Sequence, residues 1–392
     1  MIKSILDSDL YKFSMSYAYM QLYPEAEGRF VFNDRNKEVY NQEFLQALKM
    51  ELAKLCGLRL TKEEFQWLEN GAIRYIPLSY WEWLRQFTFD TNKINVFLDE
   101  EQHLQIEVVD KMYKATLYEV PILAIVSELR NKFFEYNANG ETMHKKLVDK
   151  INFANEHQLY FSEFGTRRRY SSNSHEMIVA TLKEKCPIYC TGTSNVYFAY
   201  KFGMKPIGTM AHEFIMLHGA LGGYKKANQR AIENWQRVYH GALGTALIDT
   251  YTTKAFLNEF TCELAKLFDG VRQDSGDEIM VGNMIIDRYR ELGIDPTTKT
   301  IIFSNALDMQ KYERIARYFK GQIRVGAGIG TNLTCDTDLE GYKPANIVMK
   351  LAECRVSKRE PWQKCIKISD DLGKHMGDEK EVEICKYQLG LE

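Results

Sequence analysis

Leu159-Tyr-Phe-Ser-Glu-Phe-Gly165 and, after the helix-patterned run 174–185, Ile188-Tyr-Cys-Thr191 open a rhythm that the chain keeps as far as residue 330. The same short apolar runs return as Pro206-Ile-Gly-Thr-Met210, Thr245-Ala-Leu-Ile-Asp249, Gly270-Val-Arg-Gln-Asp274, Thr300-Ile-Ile-Phe-Ser304 and Gln322-Ile-Arg-Val-Gly326. Mostly helix-patterned segments of roughly 20 to 40 residues separate them, as parallel strands joined by crossover helices require. The amphipathic segment 142–157 leads into the first run. Helix punctuation agrees: Thr193-Ser-Asn195 offers N-caps, Gly203 and Pro206 stop the next helix, and Gly293 with Pro296 stops the helix 278–292. About seven consecutive βα units result. Their unbroken succession favours a (β/α) barrel, with a doubly wound α/β sheet left open by periodicity alone.

Before this region the pattern is mixed, with a strand-like Arg29-Phe-Val-Phe-Asn33, a helix-like stretch 41–56 and a strand-like stretch 105–109, which reads as α+β. The 392 residues exceed one ordinary domain, and no Gly-, Ser- or Pro-rich linker parts them. Lys and Arg number 51 against 53 Asp and Glu, so no polycationic nucleic-acid surface is implied and any anion site is local. The longest apolar run, Val120-Pro-Ile-Leu-Ala-Ile-Val126, is far below the roughly 20 residues of a bilayer span. The N-terminus turns polar at once, without a signal-peptide core, and the eight cysteines form no CxxC pair. A cytoplasmic protein with reduced thiols is expected.

The positions just beyond each strand run are polar: Phe164-Gly-Thr-Arg167-Arg168-Arg169, Thr191-Gly-Thr-Ser194-Asn195, His212-Glu213, Asp249-Thr250-Tyr251, Arg272-Gln-Asp274, Ser304-Asn305 and Gly326-Ala-Gly328-Ile-Gly330. In a parallel barrel these positions open on one face, so the residues converge. The glycines 326–330 let backbone N–H groups approach a phosphate, or they are merely a tight turn. His212, beside Glu213 and among arginines, is a catalytic candidate or a satisfied core histidine. The arginine run beside Phe164 suits a flat carboxylate ligand, or forms a solvated corner. Arg272 and Asp274 suit sugar hydroxyls and phosphate, or a structural ion pair. The other seven histidines show no metal-ligand spacing. Residue chemistry alone thus reaches a barrel enzyme for a phosphorylated anion, with an aromatic and arginine slot for a second ligand.

The motifs Leu6-Asp-Ser-Asp-Leu-Tyr11-Lys12, Glu163-Phe-Gly-Thr-Arg-Arg168, Gly192-Thr-Ser-Asn195, Gly208-Thr-Met-Ala-His-Glu213, Leu247-Ile-Asp-Thr-Tyr251, Arg272-Gln-Asp-Ser-Gly276 and Asn346-Ile-Val-Met-Lys350-Leu351 resemble those of the nicotinate phosphoribosyltransferase family, over nearly the whole chain. The resemblance implies a type II phosphoribosyltransferase fold. That fold has an N-terminal α/β domain (1–135, completed by 345–392) and an incomplete (β/α) barrel (136–344), the C-terminal segment packing back on the first domain. It implies transfer of phosphoribosyl from phosphoribosyl pyrophosphate to nicotinate, coupled to ATP hydrolysis, in NAD salvage. Tyr11 and Phe164 match the aromatic pair about the pyridine ring, the tyrosine coming from a neighbouring protomer, so a homodimer with shared sites is expected. Arg167 matches the arginine facing the substrate carboxyl, and His212 the histidine that ATP phosphorylates. Arg35 resembles a basic residue that contacts pyrophosphate across the dimer.

Asp249 and Asp274 then serve the cationic sugar or hold Mg²⁺ and hydroxyls, and Arg272, Asn305, Gly328 and Gly330 bind sugar or phosphate. Mg²⁺ arrives with phosphoribosyl pyrophosphate and the co-substrate ATP, and no residue is assigned to a resident metal. Ser194 stands where nicotinamide-using relatives carry an aspartate, which implies preference for the acid and a shift toward the amide in Ser194→Asp. One departure from the family pattern is that Ser304-Asn-Ala-Leu-Asp308 lacks the expected phosphate-loop glycine. The competing expectations are a quinolinate phosphoribosyltransferase, a nucleotide-binding regulator on the same scaffold, and a Schiff-base aldolase for which only Lys254 and Lys350 come near a strand end.

Overall fold

A computed structural model describes residues 1–371 and 375–391, so Glu392 at the end of the expected C-terminal segment lies outside the described residues. Two sheets organise the chain. The first is antiparallel, built from β1 (Glu27–Asp34), β2 (Ile94–Leu98), β3 (Leu104–Lys111), β10 (Ile347–Arg355) and β11 (Gln363–Lys364), in the order β11-β10-β1-β3-β2. β1 is central, with β10 on one side from Glu27↔Arg355 to Asp34↔Ile347. The C-terminal segment therefore completes the N-terminal sheet, as expected. Alternation explains the register, since Phe30 and Phe32 of β1 and Met349 and Leu351 of β10 turn to the core while Arg29 and Lys350 do not.

The second sheet is parallel and holds the six strands β4 (Phe161–Glu163), β5 (Cys190–Thr193), β6 (Thr245–Leu247), β7 (Gly270–Gln273), β8 (Thr300–Phe303) and β9 (Arg324–Ile329), ordered β5-β4-β9-β8-β7-β6. Each lies within one to three residues of an apolar run expected to be a strand. The exception is 206–210, read as a seventh strand, which forms only a single bridge from Pro206 to Thr193. The segment nevertheless lies between the two sheet edges: Ile207 N–H donates to Thr193 O (2.9 Å) and the Thr209 hydroxyl to Thr245 O (3.1 Å). Pro206 has no N–H to give the ladder, and Gly208 sits at φ +149°. A Cβ at Gly208 would stand 3.1 Å from Tyr11 N, and Ser14 Oγ donates to Thr209 O (2.6 Å). The helix Leu10–Leu22 thus takes up what a neighbouring strand would have paired, and the barrel stays incomplete.

The residues before that helix lie across the strand ends of β4 and β5. Leu10 N–H donates to Ser194 O (2.8 Å), and Val196 and Tyr197 N–H donate to Ser8 O and Leu6 O. Arg169 locks this strap. Its Nη1 donates to Asp7 Oδ1 (2.7 Å), and its Nη2 to Asp7 Oδ2 (3.0 Å) and Met1 O (2.9 Å), both side chains being wholly buried. Asn195 Nδ2 also donates to Asp7 Oδ1 (2.8 Å). The strap is therefore tied down by charge-assisted hydrogen bonds.

The glycine-free loop after β8 solves its turn with Ala306 at φ +47°, where L-residues are strained. Ala306→Gly is expected to raise the unfolding free energy by up to about 1 kcal/mol, since relief of strain outweighs the added chain entropy; thermal unfolding of the two proteins checks this.

Asp7→Asn leaves Arg169 buried without its counter-charge and should cost about 3–5 kcal/mol in chemical denaturation. Burial pushes the Asp7 carboxyl up, but Arg169 and Asn195 overcome this and hold it below its ordinary value. The pair's contribution is therefore complete above the ordinary carboxylate range and is lost as pH falls from there through Asp7's lowered folded value, and Asp7→Asn should flatten that acid limb.

Candidate active site

At the C-terminal ends of the parallel strands lies a cavity of about 460 Å³. Tyr11, Phe164, Arg167, His212, Arg272, Asp274, Gly328 and Gly330 all line it, joined by Asp9, Arg168, Ser304 and the loop 306–308. Tyr11 arrives on the strap helix of the same chain. The expectation that this tyrosine comes from a neighbouring protomer is therefore corrected: the strap's hydrogen bonds to Ser194, Val196 and Tyr197 deliver it in cis.

The three consecutive arginines meet three fates. Arg167 faces the cavity, with Nη1 3.5 Å from Glu119 Oε1. Arg168 lines the cavity with no carboxylate in salt-bridge range among the described residues, and burial together with Arg167 and Arg35 pushes it down to about 10. Arg169 is structural. A 3₁₀ turn at Thr166–Arg168 fans the side chains apart, and Gly165 permits it, since a Cβ there would stand 2.2 Å from Thr334. Gly328 has a packing role too. A Cβ would lie 3.4 Å from the Phe164 ring, in van der Waals contact, so this backbone lies directly beside the aromatic slot.

His212 begins the helix His212–Gly222 and has four polar neighbours. Nδ1 lies 2.9 Å from Thr250 Oγ1, and Nε2 lies 2.9 Å from Lys367 Nζ, 3.2 Å from Asp274 Oδ2 and 3.9 Å from Asp249 Oδ1. Burial and the Lys367 ammonium hold the imidazole below its usual value despite the two carboxylates. The ring is therefore neutral at pH 7, and a Nδ1–H donated to Thr250 leaves the Nε2 lone pair facing Lys367. Burial pushes Asp274 up, but the cations beside it, Arg272 first and then Lys367, reverse this and hold it well below the carboxylate range. Arg272 is fixed by Ser304 Oγ (3.0 Å) and by Asp274 Oδ1 (3.2 Å).

Four of the expected residues lie outside the cavity wall. Asp249 is buried behind His212, where Oδ2 accepts from Ser275 (2.5 Å) and Oδ1 has no hydrogen-bond partner among the described residues. Asn305 turns away and donates to Gly276 O (3.4 Å). Arg35 is exposed, its N–H bonded to Asn346 O, and its charge reaches Arg168 and Lys350. Ser194 is buried; its hydroxyl donates to Asp9 Oδ1 (2.7 Å), so it meets the cavity only through Asp9. Direct contact of Ser194 with a ligand is therefore not what the fold provides.

His212, Asp249 and Asp274 place ligand-capable atoms within 4.8 Å of one another, a group no His or Cys spacing announced. Lys367 carries no motif in the sequence, and it reaches His212 because Lys367 pairs with Met376 and Ile368 bonds to Thr250 O. Lys350 is pushed down to about 8 by burial, Arg35 and Lys367. Arg35, Arg168, Lys350 and Lys367 thus form an under-neutralised run of cations, the signature of an anion site.

Comparison with known proteins places this architecture. The nicotinate phosphoribosyltransferase (NAPRTase) family matches residues 159–392, and its N-terminal domain matches residues 6–127. A nicotinate phosphoribosyltransferase of Desulforapulum autotrophicum is 42% identical over 98% of both chains, and one of Chromohalobacter salexigens is 38% identical over 100% of this chain and 99% of its own. The crystal structure of nicotinate phosphoribosyltransferase from Porphyromonas gingivalis superposes over 100% of both chains with a TM-score of 0.98 at 40% identity. That from Vibrio cholerae covers 100% of this chain and 95% of its own at 0.93 and 34%. Family models, full-length relatives and fold agree, and the chain belongs to the nicotinate phosphoribosyltransferase family.

Proposed function

We propose that the protein joins nicotinate to phosphoribosyl pyrophosphate, giving nicotinate mononucleotide and pyrophosphate for NAD salvage in the cytoplasm, with ATP hydrolysis coupled through a phosphoryl group on His212. The observation that carries this reading is the convergence of Tyr11, Phe164, Arg167 and His212 on one cavity, in a chain whose relatives are named for the reaction.

Two aromatic rings and a guanidinium complement a flat pyridine bearing an acid group. Arg272, Asp274 and the open backbone at Gly328 and Gly330 offer partners for the ribose phosphate, and Arg168 lies on the same wall. Holding ring nitrogen and anomeric carbon in attack geometry can supply up to roughly 7–11 kcal/mol of the barrier. Asp274, on the cavity wall, faces the positive charge that grows on the sugar as pyrophosphate leaves, and Asp249 adds its charge from behind His212. Those two carboxylates would also hold Mg²⁺ entering with the phosphorylated substrates. The unpartnered Asp249 Oδ1 fits that role, and the ion would supply charge neutralisation to the leaving group.

His212 has the separate task of accepting the γ-phosphoryl of ATP. Its neutral ring offers the Nε2 electron pair. The bond from Nε2 to phosphorus forms as the bond to the ADP oxygen breaks. Lys367 Nζ stands where it can neutralise the added charge, and Thr250 keeps the ring oriented through Nδ1. The protein is further proposed to act as a homodimer, Arg35 being exposed at the cationic rim and available to the site of a second copy.

Incubation with phosphoribosyl pyrophosphate, Mg²⁺ and nicotinate, nicotinamide or quinolinate, with and without ATP, should yield nicotinate mononucleotide selectively and faster with ATP; product identification by mass checks it. His212→Ala should keep slow ATP-independent transfer and lose both the stimulation and acid-labile labelling from γ-³²P-ATP. Retained stimulation would remove His212 from the coupling. Mixing Arg35→Ala with His212→Ala protein should restore ATP-stimulated turnover above that of either variant alone if protomers share sites, and no such recovery in a mixture shown to exchange subunits would count against sharing.

A further inference from the structure

Asp9 takes no part in the transfer chemistry, yet its position is unusual. It is the N-cap residue of the helix Leu10–Leu22, where an aspartate ordinarily accepts from the first turn, but its side chain makes no cap hydrogen bond. Instead the carboxyl lines the cavity with Tyr11, Phe164 and Arg167. It is also held there. Its backbone bridges to Asn195, Leu10 N–H bonds Ser194 O, and the Ser194 hydroxyl donates to Oδ1 at 2.7 Å. Because Ser194 does not line the cavity, whatever it contributes to choosing a substrate passes through this hydrogen bond.

Resting on the nicotinate reading of the site, we infer that Asp9 determines specificity by reading the ring substituent held by Arg167, its carboxyl binding a substrate acid group as a neutral hydrogen-bond donor. The electrostatic reason is simple. An ionised Asp9 and an ionised nicotinate would share the Arg167 guanidinium, and the two carboxylates would repel. A proton on Asp9 turns that repulsion into an O–H···O⁻ hydrogen bond. An ionised Asp9 accepts instead from the N–H₂ of an amide. The groups around it are Arg167 and Arg169 on the turn after β4, Glu163 of β4, Tyr11 on its own helix, and the neutral donors Ser194 and Thr166. Burial pushes the carboxyl up, and Arg167, Ser194 and Thr166 draw it only part of the way back. One proton moves from solvent to Asp9 when the acid binds above the pKa of the free site, and none is needed when the amide binds.

The test is nicotinate binding by calorimetry to the full-length protein, in paired buffers of different ionisation enthalpy, from pH 6 to 9. Wild-type protein should take up a proton at the alkaline end and lose affinity about tenfold per pH unit there. Asp9→Asn, which keeps an acceptor for Ser194 and a permanent N–H donor, should bind without that uptake and with a flat profile. Ser194→Ala removes a hydrogen bond that favours the ionised form, so the loss of affinity should begin at higher pH. Proton uptake unchanged in a folded Asp9→Asn protein would overturn the assignment, as would loss of nicotinate binding in it. Should Asp9→Asn fail to fold, an unmoved profile in Ser194→Ala overturns it. A wild-type protein that binds neither nicotinate nor nicotinamide fails the function reading itself, whereas one that binds nicotinate without Asp9-dependent uptake fails only this inference.

Discussion

The buried pair between Arg169 and Asp7 is the constraint on which the site depends. Two wholly buried charges are tolerated only when their remaining hydrogen-bonding capacity is met, and here Asn195 and the Met1 carbonyl meet most of it. What the pair fixes is the path of the first nine residues over the mouth of the barrel. Every later step uses that path: Asp9 and Tyr11 enter the cavity, and the helix Leu10–Leu22 runs on into the antiparallel domain. The site is therefore a composite of two sheets, joined at a strap that has no regular ladder of its own.

The charges around the cavity fall into two groups that differ in pairing. Behind the aromatic slot they alternate, from Arg167 to Glu119, then Lys12, then Glu213 beside His212, with both lysine contacts at 2.5 Å and Lys12 wholly buried. Thr116 donates to Glu213 as well (2.6 Å), so this network is close to satisfied and rigid. On the other side, burial lowers Arg168, Lys350 and His212, and the neighbouring charges of Arg35 and Lys367 add to it. Such an unbalanced cluster draws anions toward it, so the contrast separates charge that is paired within the fold from charge left open.

The sequence was legible where chemistry and periodicity coincide. Strands β4 to β9 announced themselves as apolar runs with polar ends, and their ends did converge, which brought Phe164, Arg167, His212, Arg272, Asp274, Gly328 and Gly330 together. Pro206–Met210 misled because an apolar run says nothing about whether neighbours will pair with it. Its ladder was surrendered to a helix almost 200 residues earlier in the chain, and no local pattern records that. Lys367 was invisible for a related reason, since it is an ordinary lysine placed by long-range backbone pairing. Ser194 was found by resemblance, but its role depended on a side chain at position 9, and only coordinates show that the two touch. The arginine run shows the limit most plainly: residue type marked all three, while the 3₁₀ turn decided which faced a ligand.

The unpaired stave also explains how one chain can feed a residue from its N-terminus into a barrel mouth. A closed eight-stranded barrel has no edge through which another element can approach the strand ends from the side. Here β5 and β6 are held apart by a segment with a proline, a glycine at φ +149° and few ladder bonds. The backbone of Tyr11 comes close enough that a single Cβ at Gly208 would touch it. Ser14 and the Thr209 hydroxyl instead donate to the Thr209 and Thr245 carbonyls, which are thereby paired without a ladder. Incompleteness of the barrel and the cis delivery of Asp9 and Tyr11 are thus one structural fact. A side chain at 208 would meet the backbone of Tyr11 and crowd the strap that carries the aromatic ring and the carboxyl into the cavity.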